Sequence, residues 1–317
     1  MAKQEMRAVY AQALIELAEK DKNVVILEAD LMNASGTRPF KNKFPERTFD
    51  MGVAEANMVG VAAGLSTGGK IPFATSFGCF ATRRTFDQFF LSGNYARQNV
   101  KLVGTDPGIS AAFNGGTHMP FEDAGIVRII PGVVVFEPSD GVSLKELLLR
   151  SYEHKGCTYM RLHRKPVEDI YQAGEKFELG KGKVLKDGKD ITIIATGAIM
   201  VPNAMKAAEL LAGEGVSAAV IDMHTIKPID SELIIKYAKR TGAILTAENH
   251  QVINGLGSAV AEVLGENLPT PMKRVGICDE FGEVGTQDEL MVRFKLTAED
   301  VAAAAKQLLK NKVIVDH

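Results

Sequence analysis

Cysteine is scarce: the 317 residues hold three, Cys79, Cys157 and Cys278. Their spacing forms no zinc-ligand pattern and no framework of paired bridges, so a reducing cytoplasm is the expected compartment. No apolar run approaches the ~20 residues that a membrane-crossing helix needs. The opening stretch, MAKQEMRAVY, lacks a signal-peptide core. Neither sign of charge is in excess. Lys and Arg number 37 against 39 Asp and Glu, a net charge of −2, so neither nucleic acid nor a membrane surface is an expected partner. Short tandem repeats and low-complexity segments are absent. What is present is 46% hydrophobic and 24% charged, the composition of a globular chain long enough for about two domains of ~100–200 residues each.

Strand and helix patterns alternate through the chain, which argues for parallel sheets. Residues 4–20 place Met6, Tyr10, Ala13, Leu14 and Leu17 on one helical face. An apolar strand, Val24 to Leu27, leads into Ala29-Asp30-Leu31 and a polar loop from Met32 to Thr37. The chemistry is densest from Phe49 to Phe90, FDMGVAEANMVGVAAGLSTGGKIPFATSFGCFATRRTFDQFF. There a strand ends at Asp50, Gly52 permits a tight turn, and an alanine- and valine-rich helix carries Glu55 in its first turn. Gly68-Gly69 stops that helix. A buried strand, Ile71 to Thr75, then leads to Phe77 and Phe80. A carboxylate and an aromatic pair thus stand at successive strand ends of a βαβ unit, where open α/β sheets bind ligands. A carboxylic acid among apolar groups can hold or share a proton near neutral pH. A flat aromatic slot can hold a flat heterocycle. Taken singly, each residue has a plainer explanation: Glu55 complements a helix dipole, and the phenylalanines fill a sheet core.

Residues 99–136 read as strand, long loop, strand. The loop from Thr105 to Met119 is rich in Gly, Ser, Thr and Asn, and includes His118. Such a loop after a buried strand suits polar substrate contacts. A helix over 142–155 and a strand from Thr158 to Leu162 follow, then a polar, glycine-bearing stretch with a short strand. Strands ITIIATG, VSAAVID and AILTAE follow, with helices near 201–213, 231–240 and 255–264. His250, in the loop after the last of these strands, faces either solvent or a subunit interface. The expected fold is α/β: two three-layer αβα domains with mainly parallel sheets, at residues 1–170 and 190–317, joined by a linker at 171–189.

GVAEANMVGVAAGL, then IPFATSF and FDQ, resembles the pyrimidine-binding domain of transketolases. TIKPID, LTAENH and the tail LTAEDVAAAAKQLL resemble their C-terminal domain. The resemblance covers nearly the whole chain and implies use of thiamine diphosphate. It implies that Glu55 hydrogen-bonds a nitrogen of the aminopyrimidine and promotes the imino tautomer, whose nitrogen deprotonates the thiazolium carbon. It implies further that Phe77 and Phe80 contact the pyrimidine and that Asp30 lies near the cofactor. Arg7, Ser35 and Arg164, the last in MRLHRKP, match residues that hold the substrate's phosphate. A guanidinium suits phosphate because it donates two parallel hydrogen bonds. His118, in GTHMPFEDAGIVR, matches a histidine that contacts the donor's oxygens and aids proton transfer.

Three departures stand beside the matches. Asp106 occupies the place of a usual histidine, Ala112-Phe113-Asn114 that of Gly-Glu-Asp, and Arg83-Arg84 the region of a third aromatic. Asp106 and Asn114 fall where the family touches sugar hydroxyls and the partner subunit, which leaves room for an unusual ketose. The sequence also has no GDG with a following NN-type motif, the family's site for magnesium (or calcium) and the diphosphate. The resemblance therefore implies the C-terminal subunit of a split, cytoplasmic transketolase acting on sugar phosphates. Its partner would be a separate N-terminal, diphosphate-binding subunit that holds the metal, in a heterotetramer. Two alternatives share parts of the pattern: the beta subunit of a 2-oxoacid dehydrogenase E1 component, and a non-catalytic paralogue that keeps the fold.

Overall fold

Strands organise residues 3–315, which the computed structural model describes. In chain order they are β1 (Lys3–Glu5), β2 (Val24–Glu28), β3 (Thr48–Asp50), β4 (Ile71–Phe77), β5 (Lys101–Thr105), β6 (Val134–Phe136), β7 (Thr158–Leu162), β8 (Pro166–Glu168), β9 (Lys183–Lys186), β10 (Ile191–Ala195), β11 (Ala218–Asp222), β12 (Thr225–Lys227), β13 (Ile244–Gln251) and β14 (Met272–Ile277). One sheet has the order β12-β6-β7-β5-β4-β2-β3, the other β14-β13-β10-β11-β9. Neighbours are parallel except where β12 meets β6 and β9 meets β11. β1 and β8 form a separate antiparallel ribbon.

β2, β4, β5, β7, β10 and β11 are buried along their whole length. Strands covered by helices on both faces must be apolar on both, which is why these segments read as continuous hydrophobic runs. On one face of the first sheet Tyr10, Leu14, Leu144 and Leu148 pack with Phe73 and Met160. On the other, Met58, Val59 and Ala62 pack with Leu102 and Tyr159. The second sheet has the same two-sided cover, with Met200, Ala204 and Leu211 on one face and Ile234, Val260 and Leu264 on the other. The chain is thus α/β with two three-layer units and mainly parallel sheets. Among the described residues no helix is long and apolar enough to cross a membrane.

The helix Glu55–Thr67 buries Met58, Val59, Ala62 and Ala63 as one stripe and ends at Gly68. Gly69, with φ +82°, then turns the chain into β4. β4 runs two residues beyond the expected Thr75, so Phe77 is its last residue, and Phe80 lies on the short helix Gly78–Arg83 that follows.

The two halves are sewn together. β12, from the second half of the chain, is an edge strand of the first sheet, and Lys227 Nζ donates to the carbonyls of Arg128 and Ile130 at 2.7 and 2.6 Å. Asp222 accepts from the hydroxyls of Ser139 and Tyr171, both at 2.7 Å. Arg161, fully buried on β7, donates to Asp123 at 2.9 Å, to Glu137 at 2.5 Å and to the carbonyl of Asn249 on β13 at 3.0 Å. His250 is neither in a loop nor solvated. β13 extends through it to Gln251, because the polar run Glu248-Asn249-His250 finds partners inside the molecule. His250 Nε2 accepts from the Gly125 amide at 3.2 Å. Burial, with Arg161 nearby, pushes its pKa down to about 4, so the ring is a neutral acceptor.

Candidate active site

The C-terminal ends of neighbouring strands carry the residues singled out above. Arg164 follows β7, Asp106 follows β5, Phe77 ends β4, Asp30 follows β2, and Glu55 opens the helix after β3. Parallel pairing aligns these ends, so residues scattered over more than a hundred positions meet at one edge.

Glu55 is 3% exposed, but it is not isolated among apolar groups. Arg84 Nη1 donates to both carboxylate oxygens, at 3.0 and 3.1 Å. The same guanidinium lies over Phe80, with its central carbon 3.9 Å from the ring centroid. Phe77 stands 6.2 Å from Phe80, and the His118 ring meets both edge-on at 5.9 and 5.2 Å. Gly78 explains how the loop comes so near. A Cβ there would sit 2.9 Å from the Pro120 ring, so only glycine lets the end of the loop pack against the end of β4. Asn249 pins the start of the loop, donating to the Pro107 carbonyl at 2.8 Å and accepting from the Ile109 amide at 3.0 Å.

A second group lies beside these rings. Arg164 is 5.5 Å from the Phe77 centroid and pairs through Nε with Asp106 Oδ1 at 2.6 Å. Asp106 is buried, with φ +58°, and its other oxygen accepts from the Thr105 hydroxyl at 3.1 Å. Burial pushes the Asp106 pKa up, and the Arg164 charge opposes that. Arg7 donates its amide to the Arg164 carbonyl at 3.3 Å, which fixes the two arginines side by side. Its guanidinium pairs with Glu5 at 2.7 Å and reaches the carbonyls of Asn33 and Ala34 at 3.3 Å.

Other expected residues are placed differently. Ser35 is buried, and its hydroxyl donates to Glu28 Oε1 at 2.8 Å, beside Thr37 at 2.6 Å. Burial raises the Glu28 pKa to about 7. Asp30 is exposed in the left-handed region, with its amide donating to Asp50 at 2.9 Å. Phe113 and Asn114 face outward, past a strained Ala112 at φ +49° and ψ −116°. Sequence reasoning missed Arg84 as the partner of Glu55. The only signal was an arginine pair in the otherwise mostly apolar FGCFATRRTF.

Comparison with known proteins identifies the family. Residues 2–168 match the family described as "Transketolase, pyrimidine binding domain", and residues 180–301 match "Transketolase, C-terminal domain". The chain belongs to the transketolase family. It is 51% identical over 307 residues to the 6-deoxy-6-sulfo-D-fructose transketolase subunit SqwH of Clostridium sp. (strain MSTE9), covering 97% of this chain and 95% of that one. It is 44% identical to a putative transketolase C-terminal section of Methanocaldococcus jannaschii, covering 97% of each. Among solved structures it is similar to one titled "Split gene transketolase, inactive beta4 tetramer", with a TM-score of 0.91, 44% identity, and coverage of 97% and 99%. These relatives are transketolase subunits, and neither the E1 beta-subunit nor the non-catalytic alternative is favoured.

Transketolase membership implies thiamine diphosphate, and the residues present fit its pyrimidine. The Arg84 guanidinium is a flat group edged with N–H donors. It lies on Phe80 while it donates to Glu55, the same two contacts a flat aminopyrimidine would make there.

Proposed function

We propose that this chain is the pyrimidine-activating subunit of a two-chain transketolase, moving a two-carbon ketol unit from a ketose with an anionic terminus to an aldose acceptor. The observation that carries the reading is the buried Glu55 carboxylate, set at the sheet edge against Phe80 across a flat N–H donor. When bound, the cofactor supplies carbanion stabilisation. Glu55 holds or moves a proton at the ring nitrogen that takes the place of Arg84. Phe77 and Phe80 set the plane of the ring and exclude water from one side of it. His118, edge-on to both rings, exchanges protons with donor oxygens that enter beside them. Arg7 and Arg164 hold the terminal anion.

The diphosphate and its magnesium (or calcium) are assigned to an N-terminal partner chain, because this sequence lacks the GDG motif. A heterotetramer in the cytoplasm is the expected assembly. The similar structure titled an inactive β4 tetramer supports the need for a partner. The relative named for 6-deoxy-6-sulfo-D-fructose supports a ketose other than the ordinary sugar phosphates, as does Asp106. The test mixes the purified chain, with and without the N-terminal chain, with thiamine diphosphate, magnesium, ribose 5-phosphate and a panel of ketoses. Turnover is expected only with both chains. Robust turnover by this chain alone, or none with both chains and every donor, refutes the proposal.

A further inference from the structure

Resting on the transketolase reading, we propose that the anion subsite selects a terminal group of single negative charge, such as a sulfonate, over a phosphate dianion, and that Asp106 and Glu5 set this preference. Each of the two arginines assigned to the donor's terminus already carries a carboxylate. Arg164 pairs with Asp106 at 2.6 Å, and Arg7 with Glu5 at 2.7 Å. The backbone bond from Arg7 to Arg164 holds the two pairs next to each other. Formally the four side chains cancel. Two further cations stand nearby: Lys165, which feels both Asp106 and Asp288, and Arg38, which shares a pocket with Arg7 and Glu5 and donates to Asn33 at 3.2 Å; His163 is buried and neutral.

Both arginines stay accessible, with side-chain exposures of 20% and 33%, so they keep N–H donors for an anion. Asp106 does not leave with the ligand. It is 1% exposed, tied to Thr105, and fixed by its own amide donating to the Leu162 carbonyl at 3.1 Å. A terminal group bound by Arg164 therefore shares that cation with a fixed anion. A phosphate ester carries a charge of about −1.5 to −2 at neutral pH. A sulfonate carries one negative charge and spreads it over three oxygens. Adding a second ligand charge beside an undisplaced carboxylate costs Coulomb energy that a sulfonate avoids.

The experiment compares 6-deoxy-6-sulfofructose with fructose 6-phosphate, which differ at the terminus, using the enzyme reconstituted from both chains. The wild type should favour the sulfonate in kcat/KM by about tenfold or more. Asp106→Asn tolerates the positive φ, keeps the shape, and removes one charge. It should move the ratio toward phosphate by roughly tenfold, mainly through KM. Glu5→Gln, on a partly exposed residue, should move it in the same direction and guards against misfolding of the first variant. Inhibition by methylphosphonate should strengthen relative to methanesulfonate in both variants. A wild type that takes the phosphate as well as the sulfonate overturns the proposal alone, as do variants that lose both donors equally. No turnover with any donor overturns the transketolase reading, and this proposal with it.

Discussion

Replacing Arg161 with methionine tests the seam between the two halves. Arg161 is fully buried and satisfies three acceptors at once: Asp123, Glu137 and the Asn249 carbonyl. Burial pushes the pKa of both carboxylates up. Beside Arg161, Asp123 is nonetheless held below the usual range, while Glu137 stays above it. Methionine fills much of the space but leaves two carboxylates facing each other without a cation. Removing one partner of a buried pair costs about 3–5 kcal/mol, and the lost carbonyl contact adds to that. The variant has a second signature. Its folded state can keep the buried carboxylates only by protonating them, so their folded pKa lies above the unfolded one. That contribution is present at low pH and is lost as pH rises, so the deficit should be larger at pH 8 than at pH 5. Urea unfolding followed by far-UV circular dichroism at both pH values, at fixed protein concentration, measures this. Adding Asp123→Asn and Glu137→Gln should restore much of the loss and flatten its pH dependence. A deficit under about 1 kcal/mol at pH 8, or one equal at both pH values, would refute the reasoning.

Glu55→Gln should fold normally and cost the reconstituted enzyme ~10²–10⁴-fold in kcat; near-wild-type turnover at saturating cofactor would leave Glu55 as a helix-start residue. Arg84→Ala removes the group that competes for Glu55. Discounted for the 47% exposure of Arg84, the pair is worth about 1 kcal/mol, so calorimetry should find thiamine diphosphate bound roughly fivefold more tightly, and unchanged or weaker binding contradicts the competition. Glu28 has a folded pKa raised from 4.5 to about 7 by burial, so its contribution is complete below 4.5 and is lost as pH rises through 7. Glu28→Gln should remove about 2–3 kcal/mol of the stability change between pH 5 and 8, and unfolding curves that keep the wild-type slope would show that the carboxyl is not responsible.

The local parts of this architecture were legible in the sequence because they are written at short range. Glu55 at a helix start, the Gly68-Gly69 stop and the strand leading to Phe77 all follow from periodicity and glycine placement. Pairings across the fold carry no such signal. Arg84 reaches Glu55 across 29 positions, and Arg161 reads as an ordinary polar residue in a strand until Asp123, Glu137 and Asn249 are brought around it. Ser35 matched a family serine by neighbourhood, but its hydroxyl turns inward to Glu28, a carboxylate in an apolar strand that nothing in the local pattern marked. Asp106 was visible as a departure; its pairing with Arg164 was not, because it depends on β5 and β7 being neighbours.

The strand that β12 lends to the first sheet has a consequence for biosynthesis. Among the described residues, β6, the apolar triplet Val134-Val135-Phe136, is paired on its outer edge by the strand Thr225–Lys227. That strand leaves the ribosome about 90 residues later, roughly 5–20 s at ~5–20 residues per second. For that interval the nascent first domain presents a bare hydrophobic edge able to pair with another chain. A gene fragment cut near residue 170 would make the interval permanent. The amino-terminal half expressed alone should therefore accumulate in inclusion bodies, although every residue assigned to pyrimidine binding lies within it.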